Sequence, residues 1–130
     1  MNSFKSHQEW LAQASYDLDT AEAMFKTGRY IYCVFMCHLS IEKALKACYV
    51  KKLKSNPPKI HDLSYLCEKM KLGLPAQETI FLDELNDLSV PARYPDDLKK
   101  ILKEYNKKRT EKVFNCTKRF LSWLKKNITK

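Results

Sequence analysis

The sequence contains only two glycines and five prolines among its 130 residues. An all-β sandwich or barrel needs more turn-forming residues than this, so the composition favours helices. The same shortage excludes the glycine-rich turns with which P-loop and dinucleotide-binding folds hold phosphate groups. The scarcity of glycine therefore indicates an all-α protein that does not bind nucleotides in either of those two ways.

Long apolar runs are also missing from the chain. No stretch reaches the roughly 18 residues needed to span a membrane, and residues 1–10 lack the apolar segment of a signal peptide. The five cysteines are odd in number and form no Cys-x-x-Cys motif. In the absence of a secretory signal they are expected to be buried free thiols. We therefore expect a cytoplasmic protein that has no membrane partner.

The composition is sufficient for one folded domain. A chain of 130 residues can bury a real core but is too short for two domains. Its apolar content of 45% and aromatic content of 12% exclude disorder. We expect residues 1–130 to form a single domain.

The positive charge is concentrated near one end of the chain. Residues 1–97 carry 12 basic and 13 acidic side chains, whereas residues 98–130 carry 12 basic and 2 acidic ones. Such a region attracts RNA, DNA or an acidic protein. The alternative is a solvated lysine-rich face that keeps a small protein in solution. The candidate basic patch consists of Lys99, Lys100, Lys103, Lys107, Lys108, Arg109 and Lys112.

Apolar residues recur at helical spacing along most of the chain. Glycine or proline interrupts this pattern at residues 28, 57–58 and 73–75. The proline-containing segment 91–97 is predicted to be extended, and residues 98–105 to be a short helix or an irregular connection. We therefore expect an all-α, up-and-down antiparallel bundle of four to five helices. The predicted helices span residues 8–26, 30–53, 62–71, 76–88 and 109–127.

The second predicted helix carries polar groups among its apolar residues. His38, Glu42 and Lys46 follow one another at intervals of four residues, which places them roughly along one edge of the helix. One interpretation is that Glu42 pairs with Lys46 while His38 is hydrogen-bonded in the core. The other is that the three side chains line a functional cleft. A histidine and a carboxylate do not by themselves make a metal site, so no metal or cofactor is predicted.

Two further positions combine a stiff backbone with a reactive side chain. His61 follows a proline pair at the start of a helix, and is either a base or phosphate contact or a packing residue. Arg93 and Tyr94 lie between two prolines, which restrict the backbone and hold both side chains ready. Because arginine presents a planar fork to phosphate or carboxylate, we favour a binding role. The alternative is that Arg93 ties the loop to helix carbonyls or to Glu42.

Three short blocks occur in order along the chain: EKALKA at residues 42–47, KIHDL at 59–63 and ARYPD at 92–96. An apolar helix that ends in FLSWL at 120–124 follows them. This arrangement resembles the HEPN domain family (higher eukaryotes and prokaryotes nucleotide-binding) over nearly the whole chain. The resemblance implies a compact antiparallel helical bundle that is usually a homodimer. It also implies a gene beside a minimal nucleotidyltransferase, the two proteins forming a toxin–antitoxin pair.

Many HEPN domains are metal-independent ribonucleases whose motif is an arginine followed, after four to six residues, by a histidine. In this sequence His61 is the last histidine, so none follows Arg93, and Arg29 precedes His38 by too many positions. We therefore expect a non-catalytic HEPN partner that binds a nucleotide, a nucleotidyltransferase, or both. The alternatives are an atypical ribonuclease toxin that uses His61 with Arg93, and a basic nucleic-acid-binding bundle.

Overall fold

The computed structural model describes residues 4–128, and within that range the protein is all-α. The prediction of a helical bundle is confirmed, although the described residues form six helices rather than four to five. None of these helices is both long and apolar enough to span a lipid bilayer. The helices are α1 (His7–Lys26), α2 (Tyr30–Leu53), α3 (Leu63–Lys69), α4 (Ala76–Arg93), α5 (Leu98–Glu104) and α6 (Lys107–Ile128).

Helix α2 lies at the centre of the bundle and contacts each of the other five helices. It can do so because its first half is apolar nearly all round, so no face has to be kept in water. Small residues along one side allow α1 to approach closely. The Ser40 hydroxyl there donates a hydrogen bond to the Ala14 carbonyl oxygen at 2.7 Å. Polar groups on α2 are consequently held between neighbouring helices rather than in solvent.

The end of α4 differs from the sequence prediction. The helix continues through Pro91 to Arg93, so the expectation that residues 91–97 are extended is wrong for their first three residues. Pro91 lies in the last turn, where its missing N–H removes only one helical hydrogen bond. Tyr94 leaves helical geometry with φ −136° and ψ 71°. It precedes Pro95, and a residue before proline is pushed out of the helical region, so the second proline ends the helix.

The cysteines are free, and four of the five are buried. Cys116 is only partly buried, so the expectation of five buried thiols is wrong at this position. The reason is that Cys116 lies on α6 beside a pocket between α4, α5 and α6. It is therefore the most accessible thiol of the protein.

Candidate functional site

Buried charged side chains meet where the middle of α2 lies beside the segment that leads into α3. Glu42 is only 4% exposed, and its Oε2 accepts a hydrogen bond from Lys46 Nζ at 3.0 Å. Its Oε1 accepts a hydrogen bond from His61 Nδ1, also at 3.0 Å. Lys46 is likewise buried. The predicted pairing of Glu42 with Lys46 is confirmed, and the fold adds His61 as a second partner.

Asn86 on α4 connects this region to the start of α3. Its Oδ1 accepts hydrogen bonds from the Leu63 backbone N–H at 3.1 Å and from His38 Nε2 at 3.3 Å. Its Nδ2 donates to Asp62 Oδ1 at 3.1 Å and to Ser64 Oγ at 3.4 Å. A single amide therefore joins α2, the first turn of α3 and α4.

Sequence reasoning missed Asn86 as a site residue. The available signal was its position, because it falls at helical spacing from Leu82 and Ser89, both of which are buried. A polar side chain in such an inward stripe must find hydrogen-bond partners, since burial without them is costly. The sequence does not identify those partners, which lie more than 20 residues away.

His38 is buried and its ring orientation is set by its neighbours. Since Asn86 Oδ1 can only accept, His38 Nε2 carries the hydrogen of that bond. Burial lowers the pKa of His38 below its ordinary value of 6.5, and this outweighs the opposing influence of the Glu42 carboxylate. His38 Nδ1 lies 3.8 Å from Glu42 Oε1 without a hydrogen-bond partner. His38 is thus a neutral core histidine at pH 7, as the packing interpretation proposed.

The lowered pKa of His38 predicts a pH dependence of stability. Near and below pH 6.5 the unfolded chain binds a proton at His38 more readily than the folded protein does, so the free energy of unfolding falls with falling pH. One proton accounts for at most about 1.4 kcal/mol per pH unit. We expect the His38→Gln variant to lose this slope in urea unfolding followed from about pH 7 to pH 5. His7→Gln, at the first residue of α1, is the control that retains it; an unchanged slope in His38→Gln would contradict the assignment.

A pocket of about 330 Å³ opens beside these polar side chains. The Arg93 guanidinium carbon lies 4.8 Å from the centroid of the Phe35 ring, which covers one face of the cation. Among residues 4–128, no carboxylate lies within ion-pair distance of Arg93. Tyr94 is 79% exposed next to it. The pocket is lined by His38, His61, Asp62, Asn86, Ser89, Val90, Arg93 and Tyr94.

Five of the six candidate residues therefore lie together. Four of them line this pocket, and Glu42 is close to both of its histidines. Lys46 does not line the pocket, because it bonds to the other oxygen of Glu42 and its Nζ lies 5.7 Å from the Trp10 ring centroid. Arg93 forms no ion pair with Glu42, which removes that alternative. Within the described range, no three His, Cys, Asp or Glu side chains are arranged to hold a metal ion.

The seven residues of the basic patch are all exposed, but the fold divides them. Three are on α5, and four are in the first turns of α6. Arg109 and Lys112 line the pocket between α4, α5 and α6, which Glu84, Asp87 and Glu104 also line. The predicted basic stripe is thus not uniform, because acidic side chains share a pocket with two of its members.

The fold is a helical bundle around one central buried helix, α2. Its candidate site is a polar pocket formed by side chains where α2, α3 and α4 meet. The HEPN domain model matches residues 7–128. The chain therefore belongs to the HEPN domain family. The sequence matches no curated protein.

Solved structures share this architecture. One is the crystal structure of ST0689, an archaeal HEPN homologue, with a TM-score of 0.78 and 26% sequence identity; the alignment covers 96% of this chain and 99% of that one. Another is the crystal structure of TT1696 from Thermus thermophilus, with a TM-score of 0.81 and 20% identity, covering 92% and 96% of the two chains. At 20% identity, the similarity to TT1696 shows a shared fold and nothing more.

Proposed function

We propose that this HEPN protein is a non-catalytic partner that binds a nucleotide in the pocket formed by His61, Arg93 and Tyr94. We further propose that it associates with a minimal nucleotidyltransferase, as one half of a cytoplasmic toxin–antitoxin pair. The observation that carries the proposal is the Arg93 guanidinium, which is half-buried in the pocket without a carboxylate partner. A cation held in this way favours an anionic ligand.

The surroundings of Arg93 fit a phosphate group. Because the Phe35 ring covers one face of the guanidinium, the donor edge of the cation is oriented before a ligand arrives. Charge-assisted hydrogen bonds from such a fork to phosphate oxygens are stronger than neutral ones. His61 is in the same pocket, and its Nδ1 is oriented by Glu42 at 3.0 Å. Arg93 supplies donors to the phosphate, whereas His61, whose Nδ1 hydrogen goes to Glu42, donates to it from Nε2 only in the imidazolium form.

Tyr94 supports a nucleotide rather than a simple phosphate ion. Its ring is 79% exposed and also lines the pocket. Stacking of a base on an aromatic ring contributes about 1–3 kcal/mol and does not depend on the identity of the base. An arginine for phosphate and a neighbouring tyrosine for the base therefore match the two ends of one nucleotide.

Exposed apolar residues at the end of α4 and on α5 support a protein partner. Val90 and Tyr94 near the end of α4, and Leu98 and Leu102 on α5, are each half or more exposed. Apolar groups on a surface mark interaction sites when they occur together. We assign this surface to the nucleotidyltransferase or to the second copy of the expected homodimer.

A second candidate function, metal-independent RNA cleavage, is favoured by one observation. His61 and Arg93 line one pocket although they are far apart in sequence, and a carboxylate orients the histidine. A histidine that transfers protons and an arginine that stabilises phosphate charge are the groups that such cleavage needs. The third candidate, a nucleic-acid-binding bundle, has less support because the basic patch is divided.

The decisive variant is Arg93→Ala. We expect ATP to bind the wild-type protein in EDTA. In isothermal titration calorimetry, Arg93→Ala should raise the dissociation constant for ATP by about 10- to 100-fold. Arg29→Ala is the matched control, because Arg29 is exposed at the start of α2 and does not line the pocket. Equal affinities for the wild type and Arg93→Ala, or no ATP binding at all, would remove the nucleotide from the proposal.

The same two proteins separate the candidates when they are incubated with mixed RNA in EDTA. We expect no cleavage by either protein. Cleavage by the wild type that is lost in Arg93→Ala would replace the partner role with ribonuclease activity. To test the protein partner, a tagged form of this HEPN protein is co-expressed with a nucleotidyltransferase encoded beside it. We expect the nucleotidyltransferase to co-purify with the tagged protein. Purification of a lone monomer without it would contradict the association.

A further inference from the structure

A second and larger pocket, of about 470 Å³, lies between α4, α5 and the start of α6. Phe81, Tyr105 and Val113 are among its lining residues, and all three are buried, so the floor of the pocket is apolar. The charged residues around this floor are exposed. Volumes of this size are typical of small-molecule sites, which run from about 300 to 1,000 Å³.

Opposite charges line this pocket without pairing. Glu84 and Asp87 project from α4, and Lys112 from α6, and within residues 4–128 none of these three side chains forms an ion pair or a hydrogen bond. The Arg109 guanidinium donates one hydrogen bond, to the Glu104 carbonyl oxygen at 3.4 Å, and its carbon lies 5.5 Å from the centroid of the Tyr105 ring. The acidic side chains of Glu84 and Asp87 and the basic ones of Arg109 and Lys112 come from different helices. The pocket lies between these oppositely charged groups, which do not pair.

Pro91 leaves one main-chain carbonyl of α4 without its helical hydrogen bond on the acidic side of the pocket. Pro91 has no N–H, so the Asp87 carbonyl oxygen cannot receive the helical hydrogen bond that residue 91 would otherwise donate. Both residues line the pocket. The carbonyl oxygen of Leu88, one residue further on, accepts a hydrogen bond from the Tyr105 hydroxyl at 2.7 Å. The Glu84 and Asp87 carboxylates suit an ammonium group, which donates hydrogen bonds and accepts none.

We propose that this pocket binds a small zwitterion of the α-amino-acid class with an apolar side chain. The ligand ammonium group is bound by Glu84 and Asp87, and its carboxylate by Arg109 and Lys112. The side chain of the ligand lies on the apolar floor. Such a ligand satisfies both sets of charges at once, which a simple cation or anion cannot do.

The first test compares three ligands that share one ring. L-Phenylalanine carries both charges, phenethylamine only the ammonium and 3-phenylpropionate only the carboxylate. We expect L-phenylalanine to bind with a dissociation constant of about 1 mM or tighter, and each of the other two to bind at least about tenfold more weakly. Binding of either singly charged ligand as tightly as L-phenylalanine would overturn the proposal, as would the absence of binding by all three.

Two variants test the assignment of the charges. Glu84→Gln preserves the size of the side chain, Lys112→Gln shortens it by one atom, and each removes one charge and should weaken L-phenylalanine binding by about tenfold. Glu111→Gln is the matched control, because Glu111 is exposed on α6 but does not line the pocket. Unchanged affinity in both pocket variants would show that the ligand binds elsewhere.

Cys116 provides an independent measurement in the unmodified protein. It lines this pocket, whereas the other four cysteines are buried. Bound L-phenylalanine should therefore slow the alkylation of Cys116 by N-ethylmaleimide, followed by mass spectrometry under native conditions, and phenethylamine should not do so. Equal alkylation rates with and without L-phenylalanine would overturn the proposal. None of these measurements involves the pocket of Arg93 or a nucleotide, so this inference and the proposed function fail separately.

Discussion

Replacing Glu42 with alanine is expected to lower the free energy of unfolding by about 3–5 kcal/mol. This is the cost of leaving one member of a buried ion pair without its partner. Lys46 keeps only 8% of its side chain exposed, so water cannot replace the lost carboxylate. The change is measured as a lower urea midpoint at an unchanged m value, which attributes it to stability rather than to a different unfolded state.

Two further variants identify the cause of this loss. Glu22→Ala removes an ion pair with Lys26 on the exposed surface of α1, where we expect little change. Glu42→Leu combined with Lys46→Met replaces both buried charges with apolar groups and should recover most of the lost stability. If Glu42→Ala were as mild as Glu22→Ala, the buried-pair account would be wrong.

Replacing Asn86 with alanine is expected to lower the free energy of unfolding by about 2–3 kcal/mol and to weaken ligand binding in the Arg93 pocket. The variant leaves the Leu63 N–H and the His38 Nε2–H without acceptors, and unsatisfied buried donors are costly. Urea unfolding measures the first effect, and ATP titration measures the second.

The matched control is Asn115→Ala on the exposed side of α6, which should change stability by less than about 0.5 kcal/mol. Hydrogen exchange of the Leu63 amide provides a local measurement, because this proton should exchange faster in Asn86→Ala than in the wild type. A protected Leu63 amide in the variant would mean that Asn86 does not hold the start of α3.

Local patterns in the sequence predict the ends of a helix well where a single residue starts or stops it. The predicted bounds of α2, residues 30–53, are those of the structure. Asp62, which the sequence places at the start of the third predicted helix, caps α3 by accepting a hydrogen bond from the Tyr65 N–H at 3.1 Å. Gly28 follows α1 with a φ of +78°, a conformation that glycine adopts at little cost.

The same reasoning is wrong where two local preferences compete. Pro91 is expected to exclude the helix, yet α4 includes it and ends beside the second proline. A proline near the last turn costs only one hydrogen bond, and the Tyr94 N–H still reaches the Val90 carbonyl at 3.3 Å. The number of helices is underestimated because residues 98–104 are too few for periodicity to decide between a helix and a connection.

The helical class, most helix ends and the closeness of Glu42 to Lys46 follow from the order of the amino acids alone, because each depends on residues within about one turn of one another. Three features of the site arise only when the helices pack: His61 reaches Glu42, Asn86 bonds to His38, and Arg93 lies in their pocket unpaired. The two hydrogen bonds join residues 19 and 48 positions apart. Helical periodicity states which face of a helix is buried, but not which neighbour covers it. That choice depends on how six helices fill one core, and it creates the site.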